Sequence, residues 1–389
     1  MKTDYSSWPS FTEEEISAVQ SVLLSNKVNY WTGIECRQFE KEFALWTGSN
    51  YAVALANGTV ALDLAFKALN IGKSDEVIVT SRTFIASVSS IVNAGAKPVF
   101  VDVDSSSQNI TASSIAPAIT NKTKAIVCVH LAGWPCDMDK IMNIAKENEL
   151  FVIEDCAQAH GAKYKDKSVG SIGHIGCWSF CQDKIMTTGG EGGMVTTDDV
   201  SLWEKMWAYK DHGKNYKTVY DQKHPEGFKW LHESFGTNWR MTEMQASIGR
   251  IQLKRMPDWH AKRLRNAKRI WNTARQCEIL RVPDIPENVD HAAYKCYVFV
   301  RGNEKLRNKM IKEINEKGVP CYSGSCSEVY LEKAFDNTDF RPKERLPIAK
   351  QIQETSLMFL VHPTLTDEEI EKTCNVLTEV ALANYIINE

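Results

Sequence analysis

Short apolar runs alternate with helical patterns along the first 255 or so residues, and this alternation constrains the fold more than any other feature. The runs lie at residues 51–55, 76–80, 97–103, 124–130 and 150–154. Apolar strands separated by helices are typical of βαβ units, in which helices cover both faces of a parallel sheet. Because right-handed crossovers bring the loops after such strands to one edge of the sheet, a ligand site is expected at that edge.

The pattern changes near residue 240. A long helical pattern covers residues 242–274, with Pro257 as a kink or a boundary, and a strand pattern follows at 294–300. Residues 304–317 and 367–382 then have the apolar spacing of amphipathic helices. We therefore expect a large domain over residues 1–255, with an N-terminal helix, and a smaller α/β domain over residues 256–389.

The charge balance argues against a nucleic-acid-binding protein. Lys and Arg number 46 against 49 Asp and Glu, for a formal net charge of -3, whereas phosphate neutralisation needs a basic surplus or stripe. The densest basic stretch contains Lys262, Arg263, Arg265, Lys268 and Arg269, which apolar residues interrupt at helical spacing. This spacing predicts a solvated helix face.

No stretch resembles a secretory signal or a membrane span. The 11 cysteines include no Cys-x-x-Cys pair, which disfavours zinc ribbons and thioredoxin-type motifs, and no metal site is predicted. Many of the cysteines lie in apolar runs, as small buried hydrophobic residues do in a reducing compartment. We expect a cytoplasmic protein that does not contact membranes.

Two short motifs could hold a phosphate group. Residues 71–74 contain the letters GKS, but the first glycine of a P-loop is missing and the motif follows a helix, so Gly72 is interpreted as a helix-terminating residue. Gly58 and Thr59 lie between a strand and a helix, where free amides and the helix dipole favour a bound anion. An ordinary turn capped by Asn57 or Thr59 is the alternative.

Residues 151–194 carry the strongest chemical signal. A buried-type strand ends in Glu154 and Asp155, and Lys184 follows about thirty residues later, between an apolar strand and a glycine-dense turn. An acid at a strand end and a lysine beside a close backbone approach suggest a ligand with a basic ring nitrogen and a carbonyl group. Pyridoxal phosphate has both, and its phosphate suits the Gly58 turn.

Five segments also resemble, in the right order, those of the DegT/StrS-type sugar aminotransferases of the aspartate aminotransferase fold (fold type I). They are NGTVALDLAFKAL, SRTFIAS, FVIEDCAQAHGA, WSFCQDKIMTTGGEGGM and GTNWRMTEMQASIGRIQL. The resemblance implies a large domain with a mixed, mostly parallel sheet covered by helices, a smaller C-terminal α/β domain, and pyridoxal 5'-phosphate as the cofactor.

The resemblance also implies roles for individual residues. Lys184 resembles the lysine that forms the Schiff base and then moves a proton between the substrate and the cofactor. Asp155 would pair with the pyridine nitrogen and keep it protonated. Gln158 would lie beside the ring, and Phe84 would stack on the ring's other face.

Further residues would bind the phosphate and the substrates. Gly58, Thr59 and the Ser179 hydroxyl would hold the phosphate. Asn238 resembles the asparagine that reaches the phosphate across a dimer interface, which implies a homodimer with shared active sites. The sugar would contact Trp31, Thr32 and Tyr322.

The implied reaction moves an amino group from L-glutamate to a keto carbon of a nucleotide-linked sugar. The expected sugar is a 4-keto-6-deoxyhexose on dTDP or UDP, for a surface polysaccharide such as O-antigen, with a 3-keto sugar as the alternative. A sugar dehydratase of the same family would carry histidine in place of Lys184, and a non-enzymatic sensor would not need the intact lysine and Asp155. An NAD-dependent dehydrogenase is disfavoured because the glycine fingerprint of such enzymes is missing from this sequence. His160 and His174 are interpreted as structural.

Overall fold

The computed structural model describes residues 5–221, 223 and 229–386, and its strands form one large sheet and three smaller ones. The strands are, in chain order, β1 (Tyr51–Leu55), β2 (Glu76–Thr80), β3 (Arg82–Thr83), β4 (Lys97–Val101), β5 (Thr123–Val129), β6 (Phe151–Asp155), β7 (Lys163–Tyr164), β8 (Lys167–Ser168), β9 (Ile175–Ser179), β10 (Gly193–Thr197), β11 (Leu280–Arg281), β12 (Val289–Asp290), β13 (Cys296–Val300), β14 (Cys321–Tyr322), β15 (Ser327–Glu328) and β16 (Ser356–Phe359).

Helices flank the sheets and connect most of the strands. They are α1 (Glu13–Leu24), α2 (Glu35–Thr47), α3 (Gly58–Ala68), α4 (Ala86–Asn93), α5 (Ala112–Ile115), α6 (Met138–Glu147), α7 (Val200–Lys210), α8 (Tyr216–Tyr220), α9 (Glu243–Arg275), α10 (Glu304–Glu316), α11 (Pro347–Thr355) and α12 (Asp367–Ile386). Polar side chains begin several of them; Thr12 forms a capping box at the start of α1, and Thr242 forms another at the start of α9. No helix within the described ranges is long and apolar enough to cross a membrane.

The large sheet has seven strands in the order β1-β10-β9-β6-β5-β2-β4. Strands β9, β6, β5, β2 and β4 pair in parallel, whereas β10 is antiparallel to both of its neighbours. Most residues of the central strands are buried because helices cover both faces of the sheet. This arrangement confirms the predicted α/β fold with a mixed, mostly parallel sheet.

A second sheet, in the order β11-β13-β16-β14, packs with α9, α10 and α12 around a separate apolar cluster. Helix α9 runs without a break through Pro257 and contacts α1 and α2 as well as α12 and β13. It therefore links the two parts of the molecule. The proposed domain boundary at residue 255 falls inside this helix, and the division of the chain into 1–255 and 256–389 stays a prediction.

The prediction of a solvated basic face on α9 is wrong for one residue. Arg263 is 2% exposed, and its guanidinium lies 4.9 Å from the centroid of the Trp8 ring. Arg265 and Arg269 do lie on the surface, where both pair with Asp367. The N-terminal segment covers Arg263, and helical periodicity alone gives no sign of such a contact.

Candidate active site

A cavity of about 820 Å³ opens at the edge of the large sheet where β1, β6 and β9 end. The residues predicted to bind cofactor or substrate that line it are Gly58, Thr59, Phe84, Asp155, Gln158, Ser179, Lys184 and Tyr322. Strands that run in the same direction bring their carboxyl ends to one edge of a sheet. The fold thus brings together groups that are far apart in the sequence.

One end of the cavity is formed by the first turn of α3 and the end of β9. Asn57 caps the helix, because its side-chain oxygen accepts the Val60 amide at 3.0 Å. The amides of Gly58 and Thr59 precede that bond and have no partner within the helix. A Cβ atom on Gly58 would lie 2.5 Å from the Ser179 Cβ and 2.9 Å from its Oγ. Glycine therefore lets the helix terminus approach the Ser179 hydroxyl, which forms a cradle for a phosphate.

Asp155 ends strand β6, and its carboxylate is held by two hydrogen bonds. The Ser87 hydroxyl donates to Oδ2 at 2.7 Å, and the Ala157 amide donates to Oδ1 at 3.1 Å. Ser87 in turn exchanges a hydrogen bond of 2.7 Å with the Thr83 hydroxyl. Asp155 is 6% exposed and lines the cavity, so its carboxylate presents a fixed negative charge to a ligand.

Glu154 precedes Asp155 and points to the other face of the strand, as alternation requires. Its carboxylate accepts the amides of Gly170, Ile172 and Gly173 and pairs with His130 Nε2 at 3.0 Å. Burial would raise its pKa, but His130 and these amides hold that pKa below its usual value. His130, Glu154 and Cys156 are close enough to hold a metal ion. The Cys136 amide donates to Nδ1 of His130, so Nε2 carries the ring proton and donates it to Glu154. The cluster is therefore interpreted as a structural hydrogen-bond network.

Gln158 and Phe84 face the middle of the cavity. The side-chain oxygen of Gln158 accepts the Ala132 amide at 2.9 Å, and its nitrogen lies 3.2 Å from the sulfur of Cys326. These bonds fix the plane of the amide. Phe84 is 64% exposed although it is a large apolar side chain, which leaves its ring available to cover a flat ligand.

Lys184 lies in the loop between β9 and β10. Its backbone is fixed at the carbonyl, which accepts the Trp8 indole N–H at 2.8 Å. Its Nζ lies 3.8 Å from Asp183 Oδ1 and 5.6 Å from the centroid of the Tyr294 ring, and the Tyr294 hydroxyl donates to Asp183 Oδ2 at 2.5 Å. Burial acts to raise the pKa of Asp183, but the charge of Lys184 and the hydrogen bond from Tyr294 hold it below its usual value.

Several residues of this site were not identified from the sequence. Ser87, Asp183, Tyr294 and Lys295 all line the cavity. Asp183 lies next to Lys184, and that adjacency was a usable signal. Tyr294 and Lys295 precede β13 on the second sheet, and no motif connects them with Lys184.

Three predicted residues do not line this cavity. Trp31 packs against Trp207, and the hydroxyl of Thr32 donates to the carbonyl of Asn29. Asn238 is exposed, and its side-chain oxygen accepts the Arg240 amide at 3.4 Å. The single chain does not bring these side chains to Lys184, and their roles remain predictions.

His160 and His174, which the sequence analysis interprets as structural, both make defined contacts in the fold. His160 lies between the rings of Trp178 and Phe180, and burial next to the charge of Lys184 lowers its pKa to about 3, so the ring is neutral. His174 Nδ1 accepts the Val152 amide at 2.9 Å. That bond gives His174 a structural role at the edge of β6.

The lining residues fit pyridoxal phosphate. Its phosphate matches the cradle at Gly58, where a side chain would fill the space. Its basic ring nitrogen matches the fixed carboxylate of Asp155, and its aldehyde matches the amine of Lys184. Its flat ring matches the exposed face of Phe84.

Comparisons with known proteins agree with this assignment. The model of the DegT/DnrJ/EryC1/StrS aminotransferase family matches residues 9–378. The GDP-perosamine synthase of Escherichia coli O157:H7 is 36% identical over 381 residues, which cover 95% of this chain and 96% of that protein. The UDP-N-acetyl-3-dehydro-alpha-D-glucosamine 3-aminotransferase of Acidithiobacillus ferrooxidans is 33% identical over 372 residues, which cover 94% and 93% of the two chains.

A solved structure extends the match to three dimensions. The X-ray structure of the aminotransferase from Psychrobacter cryohalolentis is 64% identical and superposes with a TM-score of 0.96, over 98% of this chain and 100% of that one. The chain therefore belongs to the DegT/DnrJ/EryC1/StrS aminotransferase family and is a pyridoxal phosphate-dependent sugar aminotransferase of fold type I.

Proposed function

We propose that this enzyme moves the amino group of L-glutamate to a keto carbon of a nucleotide-linked sugar, with Lys184 and Asp155 as its catalytic residues. The proposal is supported chiefly by three groups along one cavity, namely the free amides of α3, the Asp155 carboxylate and the Lys184 amine. When bound, pyridoxal phosphate supplies an electron-accepting ring that stabilises the charge left on a carbon after loss of its proton.

The positions of the side chains suggest their parts in the reaction. Asp155, held by Ser87 and Ala157, keeps a proton on the ring nitrogen. Lys184 would move a proton between the reacting carbon of the substrate and the aldehyde carbon of the cofactor. Its side chain is only 17% exposed, so little water would compete for that proton.

The proposed acceptor is a 4-keto-6-deoxyhexose on dTDP or UDP, used for a surface polysaccharide such as O-antigen. Tyr322 and Phe84 line the open part of the cavity and offer aromatic surface to a sugar ring. A 3-keto sugar is the second candidate, because the name of the Acidithiobacillus relative specifies a 3-dehydro sugar on UDP. The free state of all the cysteines suits a cytoplasmic enzyme that uses these metabolites.

The decisive experiment is glutamate-dependent amination of a panel of nucleotide sugars that vary in keto position and nucleotide. We expect one sugar to give an amine in an amount equal to the 2-oxoglutarate formed, and NMR of that product fixes its position and configuration. The Lys184→Ala variant is the control for non-enzymatic exchange. A protein that binds the cofactor yet aminates no sugar of the panel would support a sensor, and loss of water from the sugar without amination would support a dehydratase.

We further propose a homodimer with shared active sites, in which Asn238 of one chain reaches the phosphate held by the other. Its exposed position outside its own chain's cavity suits this role, as do the neighbouring Trp230 and Phe235, which are 80% and 99% exposed. Trp31 and Thr32 would contact the sugar in the same way.

Complementation tests the shared site. Lys184→Ala and Asn238→Asp chains are each expected to be inactive as homodimers. Co-expressed, they form mixed dimers with one complete site, so the mixture should recover roughly a quarter of the wild-type activity. Absence of recovery in a mixture shown to contain mixed dimers would contradict the shared site, as would a fully active monomer.

A further inference from the structure

A surplus of positive charge lies beside Lys184. Lys295 lines the same cavity, and the fully buried Arg263, which packs against Trp8, is near enough for its charge to lower the pKa of Lys295. The Arg263 Nε and Nη2 atoms have no hydrogen-bond partner within the described part of the chain. Buried charges normally carry a partner, because an isolated one is costly to remove from water.

The nearest carboxylate is already engaged. Asp183 accepts the Tyr294 hydroxyl and lies 3.8 Å from the Lys184 amine. Asp155, the other buried acid of the lining, is held by Ser87 and Ala157. Neither of these carboxylates makes an ion pair with Lys295 among the residues described, and the contact found for its ammonium is the Tyr294 ring, 4.7 Å from the centroid.

The remaining titratable neighbours do not offset this charge. His362 and His160 are both neutral, because burial next to the surrounding cations lowers the pKa of each to about 3. The same effect acts on Lys295, since burial and the charge of Arg263 lower its pKa to about 8. The two buried acids of the lining, Asp155 and Asp183, thus make no ion pair with Lys295 or Arg263 in the described residues, and the unpaired positive charge suits an anion that arrives with a substrate.

We propose that Lys295 binds the carboxylate next to the amino group of the amino donor, with Arg263 reinforcing the positive potential. The assignment rests on the proposed function, which requires an amino acid donor. Lys184 is consumed in the chemistry, and Lys295 is the other cation of the described chain that lines the cavity.

Position favours this carboxylate over a sugar diphosphate. The Lys184 and Lys295 ammonium groups lie 5.6 and 4.7 Å from the centroid of the same Tyr294 ring, so the two lysines share one part of the cavity. In an amino acid the carboxylate is bonded to the reacting carbon. In a nucleotide sugar the diphosphate is separated from the keto carbon by the sugar ring, which places it farther from Lys184.

The test separates the two halves of the reaction in the holoenzyme. Reaction with L-glutamate alone is followed by the absorbance of the bound cofactor, and the keto-sugar half is measured from the aminated enzyme. In Lys295→Met, the glutamate concentration for half-maximal rate should rise roughly ten- to a hundredfold, the size of a lost charge-assisted hydrogen bond. The keto-sugar concentration for half-maximal rate should change less than about twofold. Lys262→Met is the control, because Lys262 is a surface lysine paired with Asp258, and it should change neither half-maximal concentration by more than about twofold.

A second readout distinguishes this role from a structural one. Because Lys295→Met removes an uncompensated cation, its melting temperature should stay equal or rise, whereas loss of a structural ion pair would lower it. Lys295→Arg should keep much of the glutamate affinity. The proposal would be overturned if the glutamate concentration for half-maximal rate in Lys295→Met stayed within twofold of the wild-type value.

Binding of glutarate, which has two carboxylates and no amine, separates failure of this proposal from failure of the proposed function. If wild type binds glutarate but does not react with glutamate, the donor is wrong, and weaker glutarate binding in Lys295→Met supports the carboxylate site. If glutarate binding is equal in both proteins, or absent in wild type, the carboxylate site is refuted.

Discussion

Replacement of Gly58 by alanine is expected to weaken binding of pyridoxal phosphate by moving the first turn of α3 away from β9. The new Cβ would lie 2.5 Å from the Ser179 Cβ and 3.1 Å from its Cα. Carbon atoms pack at about 3.5–4.0 Å, so the two backbones must separate by roughly 1 Å. Because the atoms in conflict belong to a strand and to the start of a helix, no flexible side chain can absorb the shift.

The size of the effect follows from the contacts that move. Hydrogen bonds to a charged group contribute about 1.5–3 kcal/mol, and a displacement of about 1 Å removes most of one such bond from the phosphate. Since each 1.36 kcal/mol is tenfold, the dissociation constant for the cofactor should rise about 10- to 100-fold. Overpacking should also destabilise the protein by about 1–3 kcal/mol.

Cofactor affinity is measured by titrating the stripped protein with pyridoxal phosphate and following absorbance. Gly72→Ala is a matched control, because a Cβ there meets only the Ala94 carbonyl oxygen at 3.4 Å. Ser179→Gly tests the geometry directly, since it removes the Cβ that causes the conflict. Gly58→Ala should therefore cost less affinity in a Ser179→Gly background than in wild type. Wild-type affinity in Gly58→Ala, with a lowered melting temperature, would refute the phosphate cradle.

Four further results are expected. Lys184→Ala should abolish turnover and prevent the mass increase that borohydride treatment of the cofactor-loaded protein gives in wild type. Glu154→Gln should lower the free energy of unfolding in urea by about 3–5 kcal/mol, because an NH₂ group would face backbone amides in place of an accepting oxygen. Trp8→Phe removes the hydrogen bond to the Lys184 carbonyl, and kcat should fall severalfold with little change in overall circular dichroism. As pH rises through about 8, Lys295 loses its proton, so the glutamate concentration for half-maximal rate should rise in wild type. The same concentration should depend less on pH in Lys295→Arg.

Much of the large sheet could be predicted because its strands are buried on both faces. Strands β1 and β2 begin and end at the predicted residues, since their apolar runs are bounded by polar turns. The strand predicted at 294–300 begins instead at Cys296, because the Tyr294 amide bonds the Ala132 carbonyl in another part of the chain. The prediction for Arg263 is wrong for a similar reason, because the segment that buries it, around Trp8, is distant in the sequence.

The residues of the candidate site likewise fall into those that local sequence identifies and those that only the structure identifies. Gly58, Asp155 and Lys184 follow strand ends or adjoin glycine turns, so local sequence identifies them. Tyr294 and Lys295 come from the start of the second sheet, and only the packing of that sheet against the first shows that they lie beside Lys184. Local sequence patterns identify the site residues that follow the strands of the large sheet, but not those that the second sheet contributes to the same cavity.

The loop after β9 also limits the length of the cofactor that the cavity can hold. The Phe180 amide bonds the Gly192 carbonyl at 2.8 Å, and the Lys184 amide bonds the Cys181 carbonyl at 3.0 Å. Ser179 at the phosphate end and Lys184 at the reactive end therefore belong to one stiff stretch of backbone. An analogue whose phosphate arm is one methylene longer would need that stretch to lengthen, and domain movement cannot supply the length. Divergence toward new sugars is accordingly expected in walls that do not belong to this stretch, such as the one that carries Tyr322.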